Sequence, residues 1–160
     1  MKKLYLSKGK GKGKTKMLAY CKALEEAGIA NMNIIRLSSV IPHNSQIINE
    51  KPPIKFQDYG KKLYAVLSEI RIDSPGEIAC AGIGYSLNKK KTGQGLMVEI
   101  TGNDEKKVKE DIIHTLKDFL DEKEYDLENI LVHTKSVKCE DEPVCALVAM
   151  SFEIEDWNEL

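Results

Sequence analysis

Two adjacent hydroxyls close the run Asn33-Ile34-Ile35-Arg36-Leu37-Ser38-Ser39, and Val40-Ile41-Pro42 follows them. The β-branched residues ahead of the pair cluster as a buried strand would, yet a buried strand seldom runs into two serines. One reading is structural: Ser38 and Ser39 cap the strand and begin a turn that Pro42 closes. The other is chemical, because the hydroxyl of Ser39 is one atom away from attacking the carbonyl of Ser38. If the backbone is strained there, attack converts the amide to an ester, β-elimination cuts the chain, and the new terminal residue hydrolyses to a pyruvoyl group. The chain would then make its own carbonyl cofactor from Ser39.

Other residues invite chemistry less strongly. Gly9, Gly11 and Gly13 alternate with lysines ahead of Thr15, as in a phosphate-binding loop, but Lys8 stands where such a loop needs glycine. A flexible turn whose Thr15 caps the next helix is the preferred reading. Cys21, Cys80, Cys139 and Cys145 include no Cys-x-x-Cys pair and no histidine at zinc-ligand spacing, so reduced thiols and no metal are expected. His43, after Pro42, reads as a solvent-facing loop histidine. A lone strand glutamate such as Glu99 is most often solvent-facing as well.

The elements that must position these residues follow from periodicity. Leu4–Leu6 reads as a short first strand. A helix runs from Lys16 to Ala27, with Met17, Cys21 and Leu24 on its core face and Gly28 as its stop. Residues 43–60 look like a long irregular connection. Lys62–Ile72, Glu77–Leu87 and Leu96–Ile100 read as strands, with an exposed basic turn over Asn88–Gly93. Asn103-Asp104-Glu105 opens a second helix whose apolar stripe is Val108, Ile112, Leu116, Phe119 and Leu120, with His114 off that stripe. Two long strands, Leu127–Val137 and Val144–Ile154, finish the chain around the acidic turn Glu140–Pro143, and Trp157 is placed to anchor the tail. Two helices against six or so strands make an α+β layout of mostly antiparallel sheets covered by helices.

Length and composition bound the function. The 160 residues, 42% hydrophobic and 31% charged, suit one domain with a real core, expected to fold without metal or disulfide staples. A net charge of −1 gives no general pull toward nucleic acid, and no aromatic residues interleave with the lysines of residues 88–93. No apolar run approaches the roughly 20 residues of a membrane span, and lysines and glycines stand where a signal core would be; a cytoplasmic location is expected. Residues 1–16 hold seven lysines and no acid, while residues 140–160 hold seven acids and no base. Such ends could meet within the fold or across a subunit contact.

The pattern Asn33-x-x-x-x-Ser38-Ser39-Val40-Ile41-Pro42 resembles the processing site of the pyruvoyl-dependent arginine decarboxylases. Gly9-x-Gly11-x-Gly13-x-Thr15, Ala27-Gly28-Ile29 and Gly95-Leu96-Met97-Val98-Glu99 recur in the same order, so the likeness covers most of the chain. It implies a four-layer αββα sandwich assembled as homotrimers, with each site between neighbouring subunits. It implies self-cleavage between Ser38 and Ser39 into residues 1–38 and 39–160, with a covalent pyruvoyl group made from Ser39. Asn33 would polarise the Ser38 carbonyl during processing, Ser38 would lie beside the finished site, and Glu99 would be the acid–base group that protonates the substrate carbon. The implied reaction is arginine to agmatine and carbon dioxide through a Schiff base to the pyruvoyl carbonyl. At the position of Cys21 the family usually carries an aspartate that holds the guanidinium, which leaves room for a different amino acid. A paralogue that assembles without processing, acting as a structural or regulatory partner, is a further alternative.

Overall fold

The computed structural model of the chain describes residues 1–88, 93–123 and 129–157. Among them run β1 (Lys2–Lys12), α1 (Lys16–Ala27), β2 (Asn33–Arg36), β3 (Val40–Ile41), β4 (Ser45–Ile48), β5 (Lys62–Ile72), β6 (Ile78–Asn88), β7 (Gln94–Gly102), α2 (Glu105–Lys123), β8 (Leu131–Lys138) and β9 (Val144–Glu155). The strands form two sheets, in the orders β2-β5-β9-β1-β4 and β3-β7-β6-β8. Pairing is antiparallel except between β1 and β4 and between β2 and β5. With a helix on the outer face of each sheet, the result is the expected α+β sandwich in four layers, αββα.

The layers follow from alternation along the strands. Leu4 and Leu6 of β1, Val66 of β5 and Val148 and Met150 of β9 face Ala81 and Ile83 of β6 and Met97 of β7, making the inter-sheet core. The opposite faces of β5 and β9, Leu63, Ala65, Leu67, Cys145 and Leu147, receive α1. Val108, Ile112 and Leu116 of α2 cover Cys80 and Val98. One polar group ties the sheets: Ser68 Oγ of β5 donates to the Ile100 carbonyl at 3.0 Å and accepts from the Gly82 N–H at 3.1 Å.

Several expectations are corrected. The glycine–lysine stretch is strand, not a flexible turn, because its glycines serve a tight contact. A Cβ on Gly9 or Gly11 would stand 2.0 Å from the carbonyl oxygen of Ala23 or Ala19. The small face of α1, Ala19, Ala23 and Ala27, is therefore the buried one, while Met17 is 59% exposed and Cys21 is exposed too. Thr15 does cap α1, its side chain accepting from Leu18 N–H at 3.1 Å, and Gly28 ends it in the left-handed conformation at φ 75°. The connection 43–60 contains β4, held by parallel pairing to β1, and a 3-10 turn at Phe56–Asp58. Residues 89–92 of the expected basic turn and 124–128 of the expected strand lie outside the described residues.

The opposite charges at the two ends do meet, because β1 and β9 are antiparallel neighbours. Lys2 pairs with Glu153 at 2.8 Å and Lys12 with Asp141 at 2.5 Å. Both pairs are exposed and each contributes no more than about 1 kcal/mol.

For the site the decisive feature is a crossing. β2 is an edge of the first sheet and β3 an edge of the second, so the chain changes sheets across Leu37, Ser38 and Ser39.

Candidate active site

The crossing is tight. Leu37 N–H still bonds the Ala65 carbonyl of the first sheet at 3.0 Å, and Leu37 packs against the inter-sheet core. Three residues later Val40 pairs with Leu96, and Ile41 with Gly95, in the second sheet. Between these anchors Val40 N–H donates to the Ser38 carbonyl at 2.8 Å, a three-residue turn centred on Ser39. Ser39 is not among the residues with positive φ, so the turn is the common inverse form.

Continuing the β3–β7 register sets Ser39 opposite Met97, whose N–H donates to the Ser39 carbonyl at 3.0 Å. Glu99, two residues further along β7, projects from the same strand face as Met97 and is a diagonal neighbour of Ser39. The Ser39 hydroxyl donates to its carboxylate in a short hydrogen bond. Ser39 is half-buried, whereas Ser38 and Glu99 are exposed in the single chain. The pair opens on a cavity of about 350 Å³, lined mostly by apolar side chains and walled by Leu96, Val98, Thr115 and Phe119. Phe119 thus belongs to the cavity and is 42% exposed, a correction to its place in the buried stripe of α2.

Asn33 and Cys21 stand apart from this pair. Asn33 begins β2, and its side-chain N–H donates to the Gly60 carbonyl at 2.6 Å. Trp157 Nε1–H donates to that carbonyl as well, at 2.9 Å. Cys21 lies on α1, behind the first sheet, and does not line the cavity. On the other flank of the crossing, Leu37 borders a second hollow with Lys2, Tyr64, Glu153 and Glu155. There the Lys62 ammonium, and after it the Tyr64 hydroxyl, hold the Glu155 carboxyl below its usual range.

By residue type the sequence singles out Ser38 and Ser39, and the family resemblance adds Glu99; neither reveals what surrounds them. The Val40 and Met97 donors are backbone groups with no side-chain signature. Thr115, between the buried Ile112 and Leu116, and Phe119, one turn beyond it, carry no signal in the sequence that sets them apart from the rest of α2.

These features define an αββα protein in which a hydroxyl, a carboxylate and two polarised peptide carbonyls converge where the chain changes sheets. Residues 3–156 match the family model described as pyruvoyl-dependent arginine decarboxylase. Proteins of that name from Thermococcus sibiricus and Pyrococcus abyssi are 31% and 30% identical to the chain, each over 93% of both chains. One from Pyrococcus furiosus is 29% identical over the same share. The chain belongs to the pyruvoyl-dependent arginine decarboxylase family.

Proposed function

We propose that the chain cleaves itself between Ser38 and Ser39 and that the matured protein decarboxylates arginine to agmatine. One observation carries the reading: the hydroxyl of the second serine, at the sheet crossing, is hydrogen-bonded to a carboxylate at the mouth of a cavity. The residues present fit a carbonyl group formed at position 39. Met97 N–H holds the amide carbonyl that follows it, and Glu99 is hydrogen-bonded to the Ser39 hydroxyl, beside the Cα that would become the ketone carbon. A pyruvoyl group there supplies an electrophile for the substrate amine and a sink for the electrons of the bond to carbon dioxide.

The chain's own residues divide the remaining work. Val40 N–H polarises the Ser38 carbonyl toward attack, and Asn33 adds a second donor to that carbonyl during processing. Glu99 returns a proton to the substrate carbon after carbon dioxide departs. Phe119 and Thr115 wall the cavity, and the new carboxyl end of Ser38 lies beside it. Assembly as a homotrimer is part of this reading, since a head-to-tail contact lets two chains complete one pocket. It is supported by large apolar side chains left open in the single chain: Val40 and Phe119 at the cavity, and Phe56, Tyr59 and Trp157 around Gly60, to which Asn33 is bonded. No helix among the described residues is long and apolar enough to cross a membrane, and a cytoplasmic location is proposed.

Denaturing electrophoresis and intact mass test the maturation. The 18.0 kDa chain should yield a 39–160 fragment whose mass carries the serine-to-pyruvoyl change, and Ser39→Ala should remain whole. A wild-type chain that stays whole like Ser39→Ala would sink the reading and favour a non-catalytic structural or regulatory partner.

A second reading keeps the machinery and changes the amino acid. It is favoured by a cavity whose lining, among the described residues, holds no acid other than Glu99. Carbon dioxide release measured across arginine, lysine, ornithine and neutral amino acids decides between the two.

A further inference from the structure

Both peptide carbonyls that bracket Ser39 accept a backbone hydrogen bond, and negative charge reaches their oxygens at different steps of self-cleavage. In the acyl shift, Ser39 Oγ bonds to the Ser38 carbonyl carbon, the C–N bond breaks, and the hydroxyl proton ends on the freed nitrogen. Charge passes through the Ser38 oxygen, where Val40 N–H stands at 2.8 Å. In the elimination, Ser39 Cα loses its proton to water, the Cβ–Oγ bond breaks, and Ser38 departs as a carboxylate with that electron pair. Charge now passes through the Ser39 carbonyl oxygen as an enolate. The enamine left behind takes up water and releases ammonia, leaving the ketone.

We infer that the Met97 N–H, 3.0 Å from the Ser39 carbonyl oxygen, is the catalytic donor of the elimination step. The inference rests on the self-cleaving reading. The α-hydrogen of an amide is weakly acidic, so elimination is the step that most needs charge stabilised on this oxygen. A donor fixed before the reaction supplies that without reorganisation. Met97 is so fixed: β7 is paired residue for residue with β6 from Gln94 to Gly102, whereas β3 contributes two paired residues of its own. The Met97–Ser39 bond extends that short ladder onto the one residue at which elimination takes place.

The test replaces the amide nitrogen of residue 97 with oxygen, by incorporating the α-hydroxy analogue of methionine into the full chain. Shape and side chain are kept and only the N–H is lost. The same exchange at Ile29, whose N–H bonds the Leu24 carbonyl at 3.0 Å behind the first sheet, is the control for loss of one backbone hydrogen bond away from the crossing. Expected is a roughly tenfold to hundredfold slower release of residues 1–38 from the residue-97 variant. It should accumulate an ester that hydroxylamine converts to a 1–38 hydroxamate, identified by mass, and α-deuterated serine should slow its cleavage further. The residue-29 variant should mature as wild type and yield no 1–38 hydroxamate.

Maturation of the residue-97 variant at the wild-type rate would overturn the inference alone. So would a variant that stalls with no 1–38 hydroxamate, since the N–H would then act in the acyl shift. A wild-type chain that never cleaves would overturn the self-cleaving reading as well.

Discussion

Ser39 is held from three directions at once: its hydroxyl by Glu99, its carbonyl by Met97 N–H, and the carbonyl before it by Val40 N–H. Side-chain and backbone contacts therefore have separable consequences. Glu99→Gln keeps the shape and the contact to the Ser39 hydroxyl but has no acidic proton to return. It is expected to cut into two fragments as the wild type does, while carbon dioxide release falls by about a hundredfold or more. Equal loss of cleavage and turnover would assign Glu99 to maturation instead. At this scale the serine pair was legible because adjacent hydroxyls announce their chemistry by type, whereas Glu99, by type a solvent-facing strand residue, stood out only through the family resemblance. Cys21 was misplaced, since Met17, Cys21 and Leu24 mark a helical face as well as Ala19, Ala23 and Ala27 do. Only the glycines opposite the alanines decide between them.

Those glycines govern the element scale. Gly9 and Gly11 let α1 lie almost on the backbone of β1, so an added methyl group meets a carbonyl oxygen rather than a flexible side chain. Gly9→Ala is expected to cost about 3 kcal/mol by overpacking, read as a lower denaturation midpoint. An unchanged midpoint would mean that α1 shifts freely. A second prediction concerns β8, where His133 stacks on Tyr85 with ring centroids 5.9 Å apart. Burial, and after it the charge of Lys8, pushes the imidazole below its usual pKa of 6.5. The unfolded chain therefore binds this proton first, so the stability tied to neutral His133 is full above that value and is lost as pH falls below it. His133→Phe should flatten the fall in stability between about pH 7 and 5, and an identical slope in the variant would remove His133 from the account. Strands and helices with clean alternation or caps, such as β5 and α1, were legible to the residue. β4 was not, because its pairing comes from β1, more than forty residues away in sequence, and leaves little local pattern.

For the whole molecule, the sheet crossing means that cleavage would sever a link between the two sheets without removing any strand from either. Residues 1–38 carry β1, α1 and β2, all belonging to the first sheet and its helix. The fragments are expected to elute together on gel filtration at neutral pH and to separate only under denaturing conditions. Late elution of a free 38-residue peptide in native buffer would contradict this. The layered architecture itself was legible from element order and family likeness, whereas the crossing was not, since local pattern does not reveal which sheet a two-residue strand joins.

β1 lies with β9 along one side and β4 along the other, and both of those strands come from the part of the chain beyond Ser39. A nicked molecule therefore grips its smaller piece like a tongue in a groove. Release would require unzipping three ladders, the two of β1 and that of β2 with β5, and lifting α1 from its bed, so the nick is expected to be a change of chemistry with almost no change of form.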